Sequence, residues 1–315
     1  MNKYNSIIIL GPTGSGKTKL SIDLAKKLNG EIINADSMQI YKELNIGTAK
    51  PSPEEMSQVP HHLFDFLDPS SKYSVSEYRK DALEVAKHLL ENKKVPIIIG
   101  GTGFYIDSLL NNYSYGNVQA NPEIRLKYEM VLEKKGKEYL YDLLKKYDIL
   151  SAEKIHMNDT KRVIRALEIY EASKLEKSQH SKYDSIRDTS NFLNPLIIGL
   201  NYDREELYER INKRVDLMVE QGLINEAKDL YVKYKDCDYQ SLQAIGYKEL
   251  FESFEGKISL DEALGKIKQS SRRYAKRQIT WFKRNKDIIW FNKSEISQES
   301  ILKEVLNIFY EKKTL

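Results

Sequence analysis

Cysteine is nearly absent from this chain, which contains only Cys237 in 315 residues. A single thiol excludes an internal disulfide and a cysteine-based zinc site. Long apolar runs are absent as well: none approaches the length of roughly 18 residues that a membrane-spanning helix needs, so we expect no membrane contact. No signal-like segment precedes the first apolar stretch at Ile7. We therefore expect a reducing, cytoplasmic compartment.

A large excess of charge of either sign is also lacking. Lys and Arg total 50 against 46 Asp and Glu, which gives a formal net charge of +4. Such a balance does not by itself indicate a polyanionic partner, because the clustering of basic residues matters more. One cluster stands out: the stretch Ser271–Lys286 has no acidic residue and interleaves Tyr274, Trp281 and Phe282 with basic side chains. It can bind phosphates and stack on bases, or its aromatics can be core residues beneath a solvated face.

The most informative stretch that is present is Gly11-Pro-Thr-Gly-Ser-Gly-Lys-Thr18, directly after the apolar run Ile7–Leu10. A strand, a glycine-rich turn and Gly-Lys-Thr opening a helix are typical of the phosphate-binding loop of P-loop proteins. Glycines let backbone N–H groups approach phosphate oxygens, and the helix N-terminus favours the same anion. Lys17 adds a positive charge, and the Thr18 hydroxyl can bind Mg²⁺.

Two further predicted strands end at polar turns. Glu31–Ala35 is followed by Asp36, and Val95–Ile99 is followed by Gly100-Gly-Thr-Gly103. In an open α/β sheet, ligands bind beyond the carboxyl ends of the strands, so Asp36 and Thr102 are expected beside the phosphate-binding loop. Asp36 can accept a proton or organise Mg²⁺ waters, or it can cap a helix. Thr102 can contact the reacting group, or it can belong to an ordinary strand–helix turn.

A metal-binding carboxylate is missing where many P-loop NTPases carry one. Ile99 runs into glycines instead of a strand-terminal Asp, which disfavours a motor ATPase or a GTPase switch. The adjacent His61 and His62 have no Asp, Glu or Cys at ligand spacing. We therefore predict no metal site at these histidines, and the surrounding stretch is typical of an irregular loop.

The buried-strand pattern stops between residues 116 and 191. Helical segments take its place at Pro122–Lys134, Lys137–Tyr147 and Thr160–Ala172, and a buried strand resumes at Pro195–Leu200. The predicted fold class is therefore α/β: a P-loop NTPase-like parallel sheet with an inserted all-helical domain. We assign residues 1–115 and 192–315 to the sheet domain and residues 116–191 to the insertion.

A helix capped by Asp203 and running to about Gln221 carries Arg210 and Arg214 one turn apart. The two arginines can stabilise charge on a leaving phosphate, or they can form surface salt bridges with acidic neighbours.

Three functional classes fit these observations. They are a small-molecule kinase, a group transferase with a diphosphate-ester donor and a nucleic-acid acceptor, and a nucleotide-gated RNA-binding module. A long helical insertion and a basic tract favour the transferase over the kinase. The predicted carboxylate beside the phosphate loop disfavours a non-enzymatic module.

Six motifs taken together carry a family resemblance. In chain order they are Gly11-Pro-Thr-Gly-Ser-Gly-Lys-Thr18, Asp36-Ser-Met-Gln-Ile-Tyr41, Gly47-Thr-Ala-Lys-Pro51, Gly100-Gly-Thr-Gly-Phe-Tyr105, Ile245-Gly-Tyr-Lys-Glu249 and Lys276-Arg-Gln-Ile-Thr-Trp281. In this order they resemble the bacterial tRNA dimethylallyltransferases, or IPP transferases, over essentially the whole chain. Phe104 departs from the commoner Leu of the family, which is a conservative change.

The resemblance implies a reaction and its partners. Dimethylallyl diphosphate would donate its five-carbon group to the exocyclic amine of the adenosine 3′ of the anticodon, and diphosphate would leave. The tRNA anticodon stem-loop is the implied partner, Mg²⁺ the implied cofactor, and a monomer the expected state.

The resemblance also implies roles for individual residues. Asp36 would be the general base, Thr102 would lie near the bridging oxygen of the donor, and Arg214 would bind the diphosphate. The remaining diphosphate ligands would be Gly11, Pro12, Thr13, Gly14, Ser15, Gly16, Lys17, Thr18 and Arg210, with Mg²⁺ on Thr18. The tRNA would contact Asp36, Ser37, Met38, Gln39, Thr102, Arg125, Asp159, Thr160, Lys161, Arg162, Val163, Arg273, Lys276 and Arg277.

Overall fold

The computed structural model describes residues 3–111, 121–173 and 192–311. The chain divides into two compact units: residues 1–107 with 191–315, called the sheet unit here, and residues 108–190, called the helical unit. The domain boundaries predicted after residues 115 and 191 fall on residues 112–120 and 174–191, which lie outside the described part of the chain.

The described residues of the sheet unit form a six-stranded parallel sheet, which confirms the predicted α/β fold class. The strand order is β3-β2-β4-β1-β5-β6. The strands are β1 (Ser6–Leu10), β2 (Gly30–Asn34), β3 (His61–His62), β4 (Val95–Gly100), β5 (Pro195–Asn201) and β6 (Ile289–Asn292).

Within the described residues, twelve α-helices connect or flank these strands. They are α1 (Lys17–Leu28), α2 (Pro53–Met56), α3 (Val75–Glu91), α4 (Gly103–Leu110), α5 (Pro122–Tyr147), α6 (Ile149–Lys154), α7 (Thr160–Ser173), α8 (Arg204–Glu220), α9 (Leu223–Tyr234), α10 (Tyr247–Phe254), α11 (Leu260–Phe282) and α12 (Gln298–Tyr310). Helix α3 begins with a capping box, in which Ser74 and Glu77 bond each other's backbone N–H.

Strand β1 lies at the centre of the sheet, and all of its residues are buried. Ile8 is in register with Ile98 of β4 and Ile197 of β5. A strand covered on both faces has an unbroken apolar sequence, which is why β1 is recognisable from the sequence. The register brings the carboxyl ends of β1, β2 and β4 to one edge of the sheet.

One local prediction is wrong, and a second is confirmed only in part. The sequence predicts an irregular loop at His61 and His62, yet these residues form β3 and pair with Ile32 and Ile33 of β2. Asp203 occupies the predicted N-cap position of α8, but its side chain makes no cap hydrogen bond. Its Oδ1 instead accepts a hydrogen bond from Asn292 at 3.0 Å, so its partner comes from β6 rather than from α8.

The helical unit has its own core, built by α5, α6 and α7 around Leu140, Leu144 and Leu167. Helix α5 (Pro122–Tyr147) consists of two helical segments separated by a kink at Gly136, whose φ of 79° is not helical. The break falls between the two helices predicted for this stretch.

Candidate active site

The loop between β1 and α1 has the backbone that anion binding needs. Gly14 and Gly16 both have φ of +80°, a left-handed conformation that other residues rarely adopt. Gly16 is the N-cap of α1 and has no side chain to satisfy the first N–H groups of the helix. Those N–H groups and the helix dipole favour an anion at this point.

Lys17 folds back onto this loop. Its Nζ donates to the carbonyl oxygens of Gly11 at 3.0 Å and Pro12 at 2.9 Å. Burial, together with the nearby Arg214, lowers the pKa of Lys17 to about 7, while Asp36 opposes this effect. Since burial disfavours the positive charge here, an anion bound at the loop would stabilise the ammonium form.

Both candidate arginines of α8 contact the loop. Arg214 donates from Nη1 to Thr13 Oγ1 at 3.0 Å, and Arg210 donates from Nε to the carbonyl oxygen of Gly14 at 3.2 Å. Arg210 also stacks over the Tyr202 ring at 4.2 Å. Burial lowers the pKa of Arg214, and the Asp36 carboxylate opposes this effect. The geometry therefore places two guanidinium groups beside the loop.

The turns after β2 and β4 are fastened to each other. Ser37 N–H donates to Thr102 Oγ1 at 3.0 Å, and Thr102 N–H donates to the carbonyl oxygen of Ala35 at 3.2 Å. Asp36 Oδ1 accepts a hydrogen bond from the N–H of Met38 at 2.9 Å. The carboxylate is thus fixed in orientation at the sheet edge predicted for it.

A cavity of about 460 Å³ connects these groups. Its polar lining includes Lys17, Thr18, Asp36 and Arg214. The apolar lining includes Ile211, Val215, Met218, Leu223, Ala244, Ile245 and Ile267. The lining of one cavity thus combines residues of the phosphate-binding loop, a carboxylate and apolar side chains.

The residues predicted to contact RNA lie in both units. In the sheet unit, Ser37, Met38, Gln39 and Arg277 line the cavity, whereas Arg273 and Lys276 are exposed on α11. In the helical unit, Arg125 pairs with the fully buried Glu168 at 3.0 Å. Lys161 and Arg162 are exposed, and Asp159 and Thr160 are half-buried. Val163 is 1% exposed and belongs to the core of that unit.

Comparisons with known proteins agree with this geometry. A family model described as IPP transferase matches residues 39–285, and one described as isopentenyl transferase matches residues 4–67. A tRNA dimethylallyltransferase of Acetivibrio thermocellus is 46% identical over 302 residues, covering 96% of each chain. The chain belongs to the IPP transferase family.

Solved structures lead to the same family. An isopentenylpyrophosphate transferase from Staphylococcus epidermidis has a TM-score of 0.70 and 44% identity, covering 96% of this chain and 97% of that one. A eukaryotic dimethylallyltransferase described as acting on tRNA has a TM-score of 0.81 and 32% identity, covering 96% and 77%. The family resemblance inferred from the motifs is therefore confirmed, and the kinase alternative is not supported.

The residues at the cavity fit the Mg²⁺ expected for this member of the IPP transferase family. The Thr18 hydroxyl and the Asp36 carboxylate line the same space as the phosphate-binding loop. Such oxygens, together with those of a diphosphate, are the ligands that Mg²⁺ prefers. Across the described residues, no group of His, Cys, Asp or Glu side chains could hold a metal ion by itself.

No described helix is long and apolar enough to cross a membrane.

The sequence of this family member does not single out Gln278 or Glu226 at the site, and it predicts Tyr274 only as a base-stacking or core aromatic. Tyr274 lies beside Asp36 and Thr102, where burial and the Asp36 carboxylate raise its pKa. Gln278 contacts the phosphate-binding loop, and Glu226 holds the loop at residues 45–47. Tyr274 and Gln278 are one helical turn apart, a spacing that could have indicated a shared inward face.

Proposed function

We propose that this chain transfers a dimethylallyl group from dimethylallyl diphosphate to the exocyclic N6 of the adenosine next to the anticodon in tRNA. The N6 lone pair forms a bond to C1 of the donor while the C1–oxygen bond breaks. Diphosphate leaves, and one amine proton must be removed. The observation that carries the proposal is one cavity holding both an anion-binding loop and the Asp36 carboxylate.

In this proposal the loop residues bind the departing half of the donor. The N–H groups of Gly14 to Thr18 and the charge of Lys17 would hold the diphosphate, with Arg210 and Arg214 beside them. Charge grows on the bridging oxygen as C1 departs, so cations already in position lower the barrier. Bound Mg²⁺, held through Thr18, would neutralise further diphosphate charge.

Asp36 is assigned the role of general base. An adenine exocyclic amine is a weak nucleophile, so orientation and proton removal both contribute to the rate. Thr102 is fastened to Ser37 and is assigned to the neighbourhood of the donor's bridging oxygen. The target base must leave its stack to enter the cavity, where Met38 and Gln39 line the wall.

Two surfaces are assigned to tRNA. On α11, the exposed Arg273 and Lys276, with Arg277, would bind phosphates of the anticodon stem-loop. In the helical unit, residues 159–162 and Arg125 are assigned to the same RNA, whereas the buried side chain of Val163 is not. Because tRNA is the proposed acceptor, we propose the cytoplasm as the compartment; the monomeric state stays a prediction.

Mass measurement of RNA tests the proposal directly. The protein would be incubated with unmodified tRNA and Mg²⁺, with dimethylallyl diphosphate or ATP supplied in separate reactions. We expect the mass of one five-carbon unit to be added to the tRNA only with dimethylallyl diphosphate. Unchanged tRNA, or phosphate transfer from ATP, would overturn the proposed function.

A further inference from the structure

Helix α11 presents two different faces along its C-terminal half. Arg273 and Lys276 are exposed, whereas Ala275, Gln278 and Phe282 are buried, with Gln278 5% exposed. A buried amide must find partners for both of its ends, because an unsatisfied polar group in the interior is costly. The partners of Gln278 therefore show what this face of the helix does.

The Gln278 amide joins the two glycine-rich turns of the site. Its Oε1 accepts a hydrogen bond from the N–H of Thr13 at 3.0 Å, in the phosphate-binding loop. Its Nε2 donates to the carbonyl oxygen of Gly101 at 2.9 Å, in the turn that leads to Thr102. Thr13 also carries the hydroxyl that accepts from Arg214, so one residue links α8, the loop and α11.

The surrounding contacts leave little freedom for this connection. A Cβ at Gly101 would collide with the Gln278 amide nitrogen, and one at Gly103 would collide with the Trp281 ring. The Trp281 indole N–H donates to the Asp107 carboxylate at 2.9 Å, and Asp107 lies one turn after Gly103 in α4. Helix α11 therefore contacts α4 as well as both glycine-rich turns.

We propose that Gln278 is a positioning residue through which RNA bound on the exposed face of α11 aligns the diphosphate-binding loop. The inference rests on the proposed function, because that function assigns the exposed face to tRNA. A displacement of α11 on RNA binding would move the Gln278 amide, and with it the Thr13 N–H and the Gly101 turn. RNA and diphosphate would then bind with a favourable coupling free energy, which by linkage is reciprocal.

The test measures the coupling between inorganic diphosphate, supplied with Mg²⁺, and an unmodified anticodon stem-loop. These two ligands cannot react with each other. Calorimetry would give the diphosphate Kd with and without RNA. We expect RNA to tighten diphosphate binding at least about fivefold in the parent protein, within the usual range for coupled sites. In Gln278→Met, which has a similar shape but lacks both hydrogen bonds, we expect less than about a twofold effect. RNA affinity without diphosphate should be retained.

A second variant breaks the same connection from its other end. Gly101→Ala keeps the Gln278 residue, but the added Cβ would collide with its amide nitrogen and push the amide away. We therefore expect this variant to lose the coupling too. It replaces Gln278→Met in the test if that variant fails to fold. The matched controls are Gln269→Met and Gly265→Ala at exposed positions of α11, which should keep the parent coupling. Coupling that is absent in the parent protein, or that persists in both site variants, would overturn the inference. If the parent still prenylates tRNA in that case, the proposed function stands and only this inference fails.

Discussion

At the residue scale, Lys17 makes the anion site sensitive to pH. Its pKa is lowered to about 7 mainly by burial. In the unfolded chain this lysine keeps its proton up to its ordinary pKa of 10.5, so the free energy of unfolding should rise with pH between the two values. A bound diphosphate would raise the pKa of Lys17 again, so binding above neutral pH requires proton uptake.

We therefore predict uptake of up to one proton on diphosphate binding at about pH 8.5, because Lys17 is mostly neutral there without an anion. Calorimetry in buffers of different ionisation enthalpy measures this number. Lys17→Arg keeps a charge at all these pH values and should abolish the uptake. Lys19→Arg, at an exposed position of the same helix, should retain it. Uptake that is unchanged in Lys17→Arg would assign the titration to another group.

Asp36 supports a second prediction at this scale. Asp36→Asn keeps an oxygen for the N–H of Met38 but cannot accept the amine proton. We expect the single-turnover rate to fall about 10²–10⁴-fold, the usual contribution of a general base, with tRNA affinity unchanged. Asp229→Asn on the exposed side of α9 is the control. A rate close to that of the parent protein would exclude Asp36 as the base.

Single residues differ in how well the sequence predicts them. Asp36 and Thr102 follow buried strands, so the rule that parallel strands end at one edge is enough to bring them together. Gln278 and Glu226 act on partners far away in the chain, and no local pattern encodes such contacts. Their roles become visible only with the distances between the atoms.

At the scale of elements, one carboxylate on α9 holds the loop that forms a wall of the cavity. Glu226 accepts hydrogen bonds from the backbone N–H of Ile46 at 2.9 Å and Gly47 at 3.0 Å, and from the Tyr247 hydroxyl at 2.7 Å. A side chain at Gly47 would collide with the Tyr247 ring. The loop, α9 and α10 therefore depend on one another for their positions.

Glu226→Ala should loosen this loop while the sheet stays intact. We expect a loss of about 1–3 kcal/mol in the free energy of unfolding, because backbone donors lose their partner. Hydrogen exchange should accelerate at Ile46 and Gly47. Glu226→Gln, which keeps an acceptor oxygen, should lose less, and Asp229→Ala on the exposed side of α9 should change neither quantity. Equal exchange rates in the Ala variant would refute the role of this carboxylate.

The position of a strand can be predicted from the sequence where its residues are apolar and buried. It is harder to predict where pairing with a neighbouring strand determines the structure. Strands β1 and β4 are apolar along most of their length, and their positions follow from those runs. His61 and His62 are polar and only half-buried, and they form a strand because β2 offers them an open edge. That edge is a tertiary feature, which the local sequence does not contain.

At the scale of the whole molecule, the net charge is only +4, so RNA affinity must come from local basic surfaces. We predict that RNA binding weakens steeply with salt, because bound phosphates release counterions. Lys276→Gln should lower the slope of log K against log salt by about one. Lys266 is paired with Glu252 on the neighbouring helix α10, and its replacement by Gln should leave the slope unchanged. A flat salt dependence in the parent protein would contradict docking on α11.

The contact between Thr13 and Gln278 joins residues that are 265 positions apart. During translation, the first strand and its loop leave the ribosome long before α11 has been made. The two glycine-rich turns can therefore be joined through the Gln278 amide only after α11 has been synthesised, so this part of the site is completed late in translation.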